Sequence, residues 1–212
     1  MSVDQLIKRL NAIADAGLIY GKNAFDLERY QDIKSVLRDL TGDLSDLTPA
    51  ELSDLFLPTS HYPTPMIDVR AFVKNETGHV LLVRDQAKGD WALPGGYGEI
   101  GFSPSENVLK ELAEEAGVTG EVVRLLAVFD TNKWQPQGRQ YYKFVFECRA
   151  LSQDFKVNSE TSETDYFNLE TLTVPLSEKR NTRSQLNLLD ELSQTGKQYI
   201  DQALIRIING EK

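Results

Sequence analysis

Four glycines in seven residues, Gly95, Gly96, Gly98 and Gly101, run directly into a short and sharply bounded helical segment. Glycine has no Cβ, so this loop can take positive φ and bring its backbone close to a ligand. Ser103-Pro104-Ser105-Glu106 follows, with serine as N-cap, proline at the first helical position and Glu106 closing a capping box. Gly117 stops the helix, so the spacing predicts a helix over about 105–116. At about 100° per residue, Val108, Leu109, Leu112, Ala113 and Ala116 gather on one side and Glu111, Glu114 and Glu115 on the other. Glu111 and Glu115 are four residues apart, where side chains meet and like charges destabilise by about 0.2–0.5 kcal/mol. A hard divalent cation explains the clustering, because Mg²⁺ takes oxygen ligands and is held by one or two carboxylates plus substrate phosphates. Taken alone, such a cluster reads as a solvated acidic face. Its setting between a glycine loop, a capped start and a stopping glycine argues for a site.

Around this core the chain changes character twice. Residues 1–57 read as helical, with Leu6, Leu10, Ile13 and Ala14 in one stripe and Leu27, Tyr30, Ile33, Val36, Leu37 and Leu40 in a second. Gly17 or Gly21 ends the first helix in this reading, Asp26 caps the second, and Thr48-Pro49-Ala50-Glu51 opens another. Residues 58–65 carry three prolines and read as an extended linker. From Met66 the period becomes two: Ile67, Val69 and Ala71 alternate with Asp68, Arg70 and Phe72. Asn75–Gly78 is a hairpin turn into Val80–Val83, and further strands are expected at 122–129, 141–148 and 165–169. Residues 184–193 and 197–208 read as helices. The expected organisation is a helical N-terminal extension (1–57), a linker (58–65) and a mixed α/β domain with C-terminal helices (66–212).

Composition narrows the function. With 23 Lys+Arg against 32 Asp+Glu the net charge is −9, which argues against a broad nucleic-acid surface. A lone Cys148 excludes an intramolecular disulfide or a Cys-rich metal site, and two histidines, His61 and His79, make a His-based zinc site a poor fit. No apolar run is long enough to span a bilayer, and the N-terminal stretch alternates too closely for a secretory signal. The expected setting is cytoplasmic, without membrane association.

The residues from Gly96 to Val118 resemble the Nudix box, G-x5-E-x7-R-E-U-x-E-E-x-G-U with U aliphatic. Seven of its nine defined positions match: Gly96, Glu111, Leu112, Glu114, Glu115, Gly117 and Val118. The departures are Phe102 in place of a glutamate and Lys110 in place of the arginine. Beyond the box, the strand at 66–73, the hairpin and Trp91–Gly96 fit the same family over roughly 66–175. Ala14–Tyr20 and Phe25–Tyr30 resemble the helical extension of a bacterial subgroup that includes CDP-choline pyrophosphatases and proteins described as ADP-ribose pyrophosphatases. The resemblance implies an α/β fold, a Nudix-type α/β/α sandwich with a mixed sheet, plus the small helical extension.

It also implies Mg²⁺-dependent hydrolysis of a nucleoside diphosphate linked to another moiety, CDP-choline or ADP-ribose being the best matches, with release of a nucleoside monophosphate. Mn²⁺ is a possible substitute, and the expected assembly is a homodimer. Glu111 and Glu115 would hold the metal, with Glu114 and a carbonyl of Gly95 or Gly96 assisting. The general base is either a box glutamate or one on a later loop, where Glu163 matches the loop position and Glu160 stands close by. Arg70 is a candidate phosphate clamp, since a guanidinium fits phosphate oxygens as a fork. Trp134, flanked by Lys133 and Arg139, is a candidate for stacking on a base. Trp91 reads as core. A non-catalytic Nudix-fold nucleotide sensor is the alternative. Its mark would be loss of box carboxylates, of which Phe102 is one.

Overall fold

The computed structural model describes residues 2–135 and 138–201. Among them the contacts gather the chain into two compact units, one drawn from residues 2–66 and 138–141, the other from 67–135 and 142–201.

In the first unit, α1 (Val3–Tyr20) and α2 (Ala24–Leu44) pack together and α3 (Pro49–Leu55) follows. Capping boxes at Ser2 and Thr48 start α1 and α3, and Gly21 ends α1. Asn23, not Asp26, caps α2: its side chain accepts from the Phe25 N–H, while Asp26 inside the first turn pairs with Arg29. Gly17 lies inside α1 rather than ending it, and its role is packing: the Tyr30 ring of α2 lies where its Cβ would be. A buried Asp15–Lys34 ion pair also joins the two helices. Leu6, Leu10 and Ile13 of α1 and Ile33, Val36 and Leu40 of α2 stay exposed.

The second unit is built on two sheets. One has the strand order β1 (Met66–Val73), β5 (Tyr141–Gln153), β4 (Val118–Asp130), β7 (Tyr199–Ile200). The other runs β3 (Trp91–Ala92), β2 (Val80–Asp85), β6 (Thr161–Phe167). Antiparallel pairs dominate, and the parallel β4–β7 pair makes the first sheet mixed. The period of two in β1 and β2 divides their side chains between two cores. Val69, Ala71, Val73, Leu81 and Val83 face Val108, Leu112 and Ala116 of α4 (Pro104–Ala116). Phe72, Val80 and Leu82 face Leu186, Leu189 and Leu192 of α6 (Arg183–Thr195). Helices thus cover the strands on both sides, the α/β/α arrangement of the expected fold class. The hairpin at Asn75–Gly78 forms, with Asn75 accepting from Thr77 and His79.

Three local expectations change. The strands over 118–130 and 141–153 are longer than expected, and β6 starts at Thr161, which puts Glu163 inside a strand. Tyr199–Ile200, expected in a helix, instead pairs with Ala127–Val128, because Gly196 ends α6 in the left-handed region and the chain returns to the sheet. The rest of that expected helix, 202–208, lies outside the described residues. Cys148 is buried in the α4 core and its thiol is pushed up to about 12 by burial. Among the described residues no helix is long and apolar enough to cross a membrane.

Candidate active site

The glycine loop lies antiparallel against β1: the Ala71 N–H donates to the Pro94 carbonyl at 2.9 Å, the Val69 N–H to Gly96 at 2.8 Å, and the Gly98 N–H to Ile67 at 2.9 Å. Gly95 takes φ 143°, and a Cβ there would stand 2.9 Å from the Arg70 Cα, so only glycine permits this approach. Because Val69 takes the Gly96 carbonyl, Gly95 offers the carbonyl of the two that backbone pairing leaves to a ligand.

Helix α4 begins at its capping box on Ser103 and ends on Gly117, in the left-handed region at φ 63°. A Cβ on Gly117 would meet Asp154 and Phe155, so packing as well as conformation calls for glycine. The helix brings Glu115 against the loop, where its Oε2 accepts the Gly95 N–H at 2.7 Å. One turn earlier Glu111 is half-buried, its carboxylate so close to Gly96 that a Cβ there would fall 2.7 Å from Oε1. Burial, then the neighbouring charge of Glu115, raise the Glu111 pKa to about 7 against partial relief from Lys110 and Arg70. Burial also raises Glu115, against the opposing pull of the Gly95 N–H and of Arg70.

Glu114 stands apart from this pair. It points outward and accepts from Lys110 Nζ at 2.7 Å, and Lys110 also donates to Glu99 at 3.0 Å. Those hydrogen bonds, Glu114's before Glu99's, raise the Lys110 pKa. Glu99 is itself tied down by Asn107, whose amide accepts from its N–H and donates to its carbonyl. Lys110 thus bridges the loop and the helix, and Phe102 lies exposed beside the bridge.

Arg70 is no solvent-facing clamp. It is 5% exposed and forks onto Asp68, Nε to Oδ1 at 2.9 Å and Nη2 to Oδ2 at 2.7 Å, with Nη1 on the Leu93 carbonyl at 3.2 Å. Burial works against its charge, but Asp68, Glu115 and Glu111 outweigh that and raise its pKa. Glu160 sits in the loop before β6, which Asn158 fastens to α4 by donating to the Glu114 carbonyl at 2.8 Å. Its charge is among those that raise Glu115. Glu163 instead pairs with Arg84 across the β2–β6 ladder at 3.3 Å. Trp134, in α5 (Thr131–Trp134), packs edge-on to Phe129 and donates its indole N–H to Asp201 at 3.1 Å, so it serves packing rather than an open stacking face. Arg139 pairs with Asp54. Trp91 is in the core.

The sequence reading missed Asp68, Lys143 and Asn181. Asp68 carried a signal, since a carboxylate two residues before Arg70 on a strand shares its face. Lys143 and Asn181 carried none. Lys143 is buried, with its pKa lowered to about 8 by burial first, and donates to the Arg180 carbonyl. The two arginines flanking Asn181 are engaged by the fold: Arg180 pairs with Asp85, and Arg183 donates to the carbonyls of Leu169 and Leu172.

Among the described residues no three His, Cys, Asp or Glu side chains converge as a metal group. The carboxylates that lie together are Glu111 and Glu115, one against the Gly96 Cα and the other on the Gly95 N–H. Two crowded carboxylates, each with a raised pKa, are the setting a divalent cation relieves, and such a pair suffices where substrate phosphates complete the ligand set. A testable consequence follows for the metal-free protein. A carboxylate raised above its ordinary 4.5 contributes stability below that pH and loses it as pH rises through about 7. Without metal, the Tm of the wild type should fall relative to that of Glu111→Gln between pH 4.5 and 7, and Mg²⁺ should raise the wild-type Tm more at pH 8 than at pH 5. Parallel calorimetric curves for the two proteins would contradict the assignment.

The Nudix domain pattern matches residues 64–191, so the chain belongs to the Nudix hydrolase family, enzymes that cleave pyrophosphate links in nucleoside diphosphate derivatives. Residues 2–56 match a second pattern, described as "UDP-X-like, N-terminal oligomerisation domain". A Bacillus subtilis (strain 168) protein named "Putative ADP-ribose pyrophosphatase YjhB" is 41% identical over 184 residues, 86% of this chain and 88% of its own. A crystal structure of UDP-X diphosphatase is 45% identical with a TM-score of 0.64, over 93% of this chain and 97% of that one. An ADP-ribose pyrophosphatase structure from Streptococcus suis 89-1591 is 37% identical with a TM-score of 0.60, over 65% of this chain and all of that one (100%).

Proposed function

We propose that this enzyme hydrolyses the pyrophosphate bond of a nucleoside diphosphate linked to a second moiety, using Mg²⁺, or Mn²⁺ in its place, held by Glu111, Glu115 and the Gly95 carbonyl. The observation that carries this reading is the carboxylate pair itself, one member bonded to the Gly95 N–H and the other packed on Gly96. A divalent cation held there would neutralise phosphate charge and lower the pKa of a coordinated water. The chain's own residues orient the reactants. Glu115 fixes the loop through Gly95, and Arg70 adds buried positive charge beside both carboxylates. Glu160, in the loop that Asn158 fastens to α4, is the candidate proposed to accept the water's proton, because Glu163 is engaged by Arg84. Water adds to one phosphorus and gives up a proton, the bond from that phosphorus to the bridging oxygen breaks, and the two products are a nucleoside monophosphate and the phosphorylated second moiety. Glu114 acts indirectly, by holding Lys110. With both crowded carboxylates in place, a purely ligand-sensing role has no support.

ADP-ribose and CDP-choline are the leading substrates, and the UDP-X diphosphatase relative adds UDP linked to a second group. A panel of CDP-choline, ADP-ribose and a UDP-sugar, with Mg²⁺ or EDTA and products separated by ion exchange, tests the proposal. Metal-dependent release of CMP, AMP or UMP supports it. No nucleoside monophosphate from any of the three overturns it.

The assembly proposed is a homodimer formed through the N-terminal helices. The apolar side chains exposed on α1 and α2, Leu6, Leu10, Ile13, Ile33, Val36 and Leu40 among them, support it, as does the oligomerisation pattern matched there. Light scattering should give twice 23.9 kDa, and replacing Leu10 and Val36 with Lys should give a monomer. A monomeric wild type at micromolar concentration would reject it.

A further inference from the structure

The residue that enters the glycine loop, Leu93, is gripped from both sides. Its N–H donates to Asn181 Oδ1 at 2.8 Å and its carbonyl accepts from Arg70 at 3.2 Å. Arg70 cannot swing, because two of its other donors are spent on Asp68. All three side chains are buried. Asn181 comes from the turn before α6, and that turn is itself immobilised. The Trp91 N–H donates to the Pro175 carbonyl at 2.8 Å, the Ser177 N–H to Trp91 at 2.9 Å, and the Asn181 N–H to Ser177 at 2.9 Å. Lys143 of β5 donates to the Arg180 carbonyl, and Arg180 Nη2 pairs with Asp85 at 2.9 Å. Asn181 is 2% exposed, and its Nδ2 has no protein partner among the described residues, so the amide is engaged through its oxygen. Beyond Leu93 the chain has two residues in which to place the Gly95 carbonyl, with Glu115 fixing the Gly95 N–H from the far side.

We infer that Asp68, Arg70 and Asn181 are positioning residues that aim the Gly95 carbonyl toward the cation, so that the turn leading into α6 shapes the metal site as much as the box helix does. The inference rests on the metal reading above. Groups that orient a metal's ligands typically change its affinity by about 10–100-fold when removed. Asn181→Leu loses the acceptor, Asn181→Asp keeps one, and Arg70→Lys keeps the charge but not the fork.

Two readouts decide it, with Glu115→Gln as the control: Mn²⁺ titration followed by the EPR signal of the free ion, and amide exchange in the metal-free protein. N181L and R70K should bind Mn²⁺ about 10–100-fold more weakly than wild type, with N181D close to wild type. The Gly95 amide should exchange at least tenfold faster in N181L while the amides of α4 keep their rates, a local change that general destabilisation does not produce. A folded N181L with wild-type Mn²⁺ affinity and wild-type Gly95 exchange overturns the inference, and if N181L does not fold, R70K decides on the same readouts. Should E115Q bind Mn²⁺ as tightly as wild type, the metal reading itself fails. Loss of binding in E115Q with none in N181L overturns the positioning role alone.

Discussion

Glu115→Gln should lower kcat/KM by about three orders of magnitude, a loss of about 4 kcal/mol in transition-state stabilisation, with Glu111→Gln close behind. Glutamine preserves the shape of the side chain and an oxygen that can accept the Gly95 N–H, so the loop should keep its place. What it removes is charge. In the metal-free enzyme that charge is a burden, since burial raises the pKa of both carboxylates and the Glu115 charge raises that of Glu111 further. Metal-free E115Q should therefore melt no lower than wild type, while the rise in Tm that Mg²⁺ gives the wild type should largely disappear. The combination of retained fold, lost metal response and lost turnover separates a ligand from a structural carboxylate. Wild-type rates in both variants at saturating Mg²⁺ would reject the assignment.

Gly95→Ala should be the most damaging single change in the loop, costing about 3 kcal/mol or more. At φ 143° an alanine is strained whatever surrounds it, and its Cβ would collide with backbone of β1 at Val69 and Arg70, which cannot step aside. Gly96→Ala offers the informative contrast. The atom its Cβ meets is Glu111 Oε1 at 2.7 Å, the end of a side chain that can rotate away. Stability should then fall by no more than about 1 kcal/mol while activity falls at least tenfold, because Glu111 leaves its place beside the loop. Urea denaturation with steady-state kinetics on the two variants checks both halves. Equal stability losses at Gly95 and Gly96 would show that the loop is not packed against β1 as described.

The contrast between these neighbours shows what was legible in the sequence. Local rules wrote themselves into it: the capping box at Ser103, the stop at Gly117 and the alternation of β1 each appear where spacing placed them. The helical wheel also set Glu111 and Glu115 on one face, yet it grouped Glu114 with them. In the fold Lys110 draws Glu114 outward toward solvent, an ion pair that angular position alone does not register. Arg70 illustrates the converse. Its strand position was clear, but a buried arginine is defined by what it bonds, and Leu93 lies 23 residues away along the chain. Asn181 is further still, 88 residues from the backbone it holds. Such contacts have no period, so spacing cannot reveal them. The C-terminal segment misled for a related reason: Tyr199 and Ile200 have helix-compatible neighbours, but the open edge of β4 captured them.

The lone thiol offers a way to watch this architecture breathe. Cys148 is packed beneath α4 and its proton is held to about 12, so at neutral pH it is an inert hydrocarbon-like filler with no nucleophilic form to speak of. A labelling reagent in the medium can reach it only when the helix lifts from the strands. The rate of derivatisation therefore becomes a stopwatch for that rare excursion, and because α4 carries both carboxylates, a cation seated between helix and loop should slow the clock.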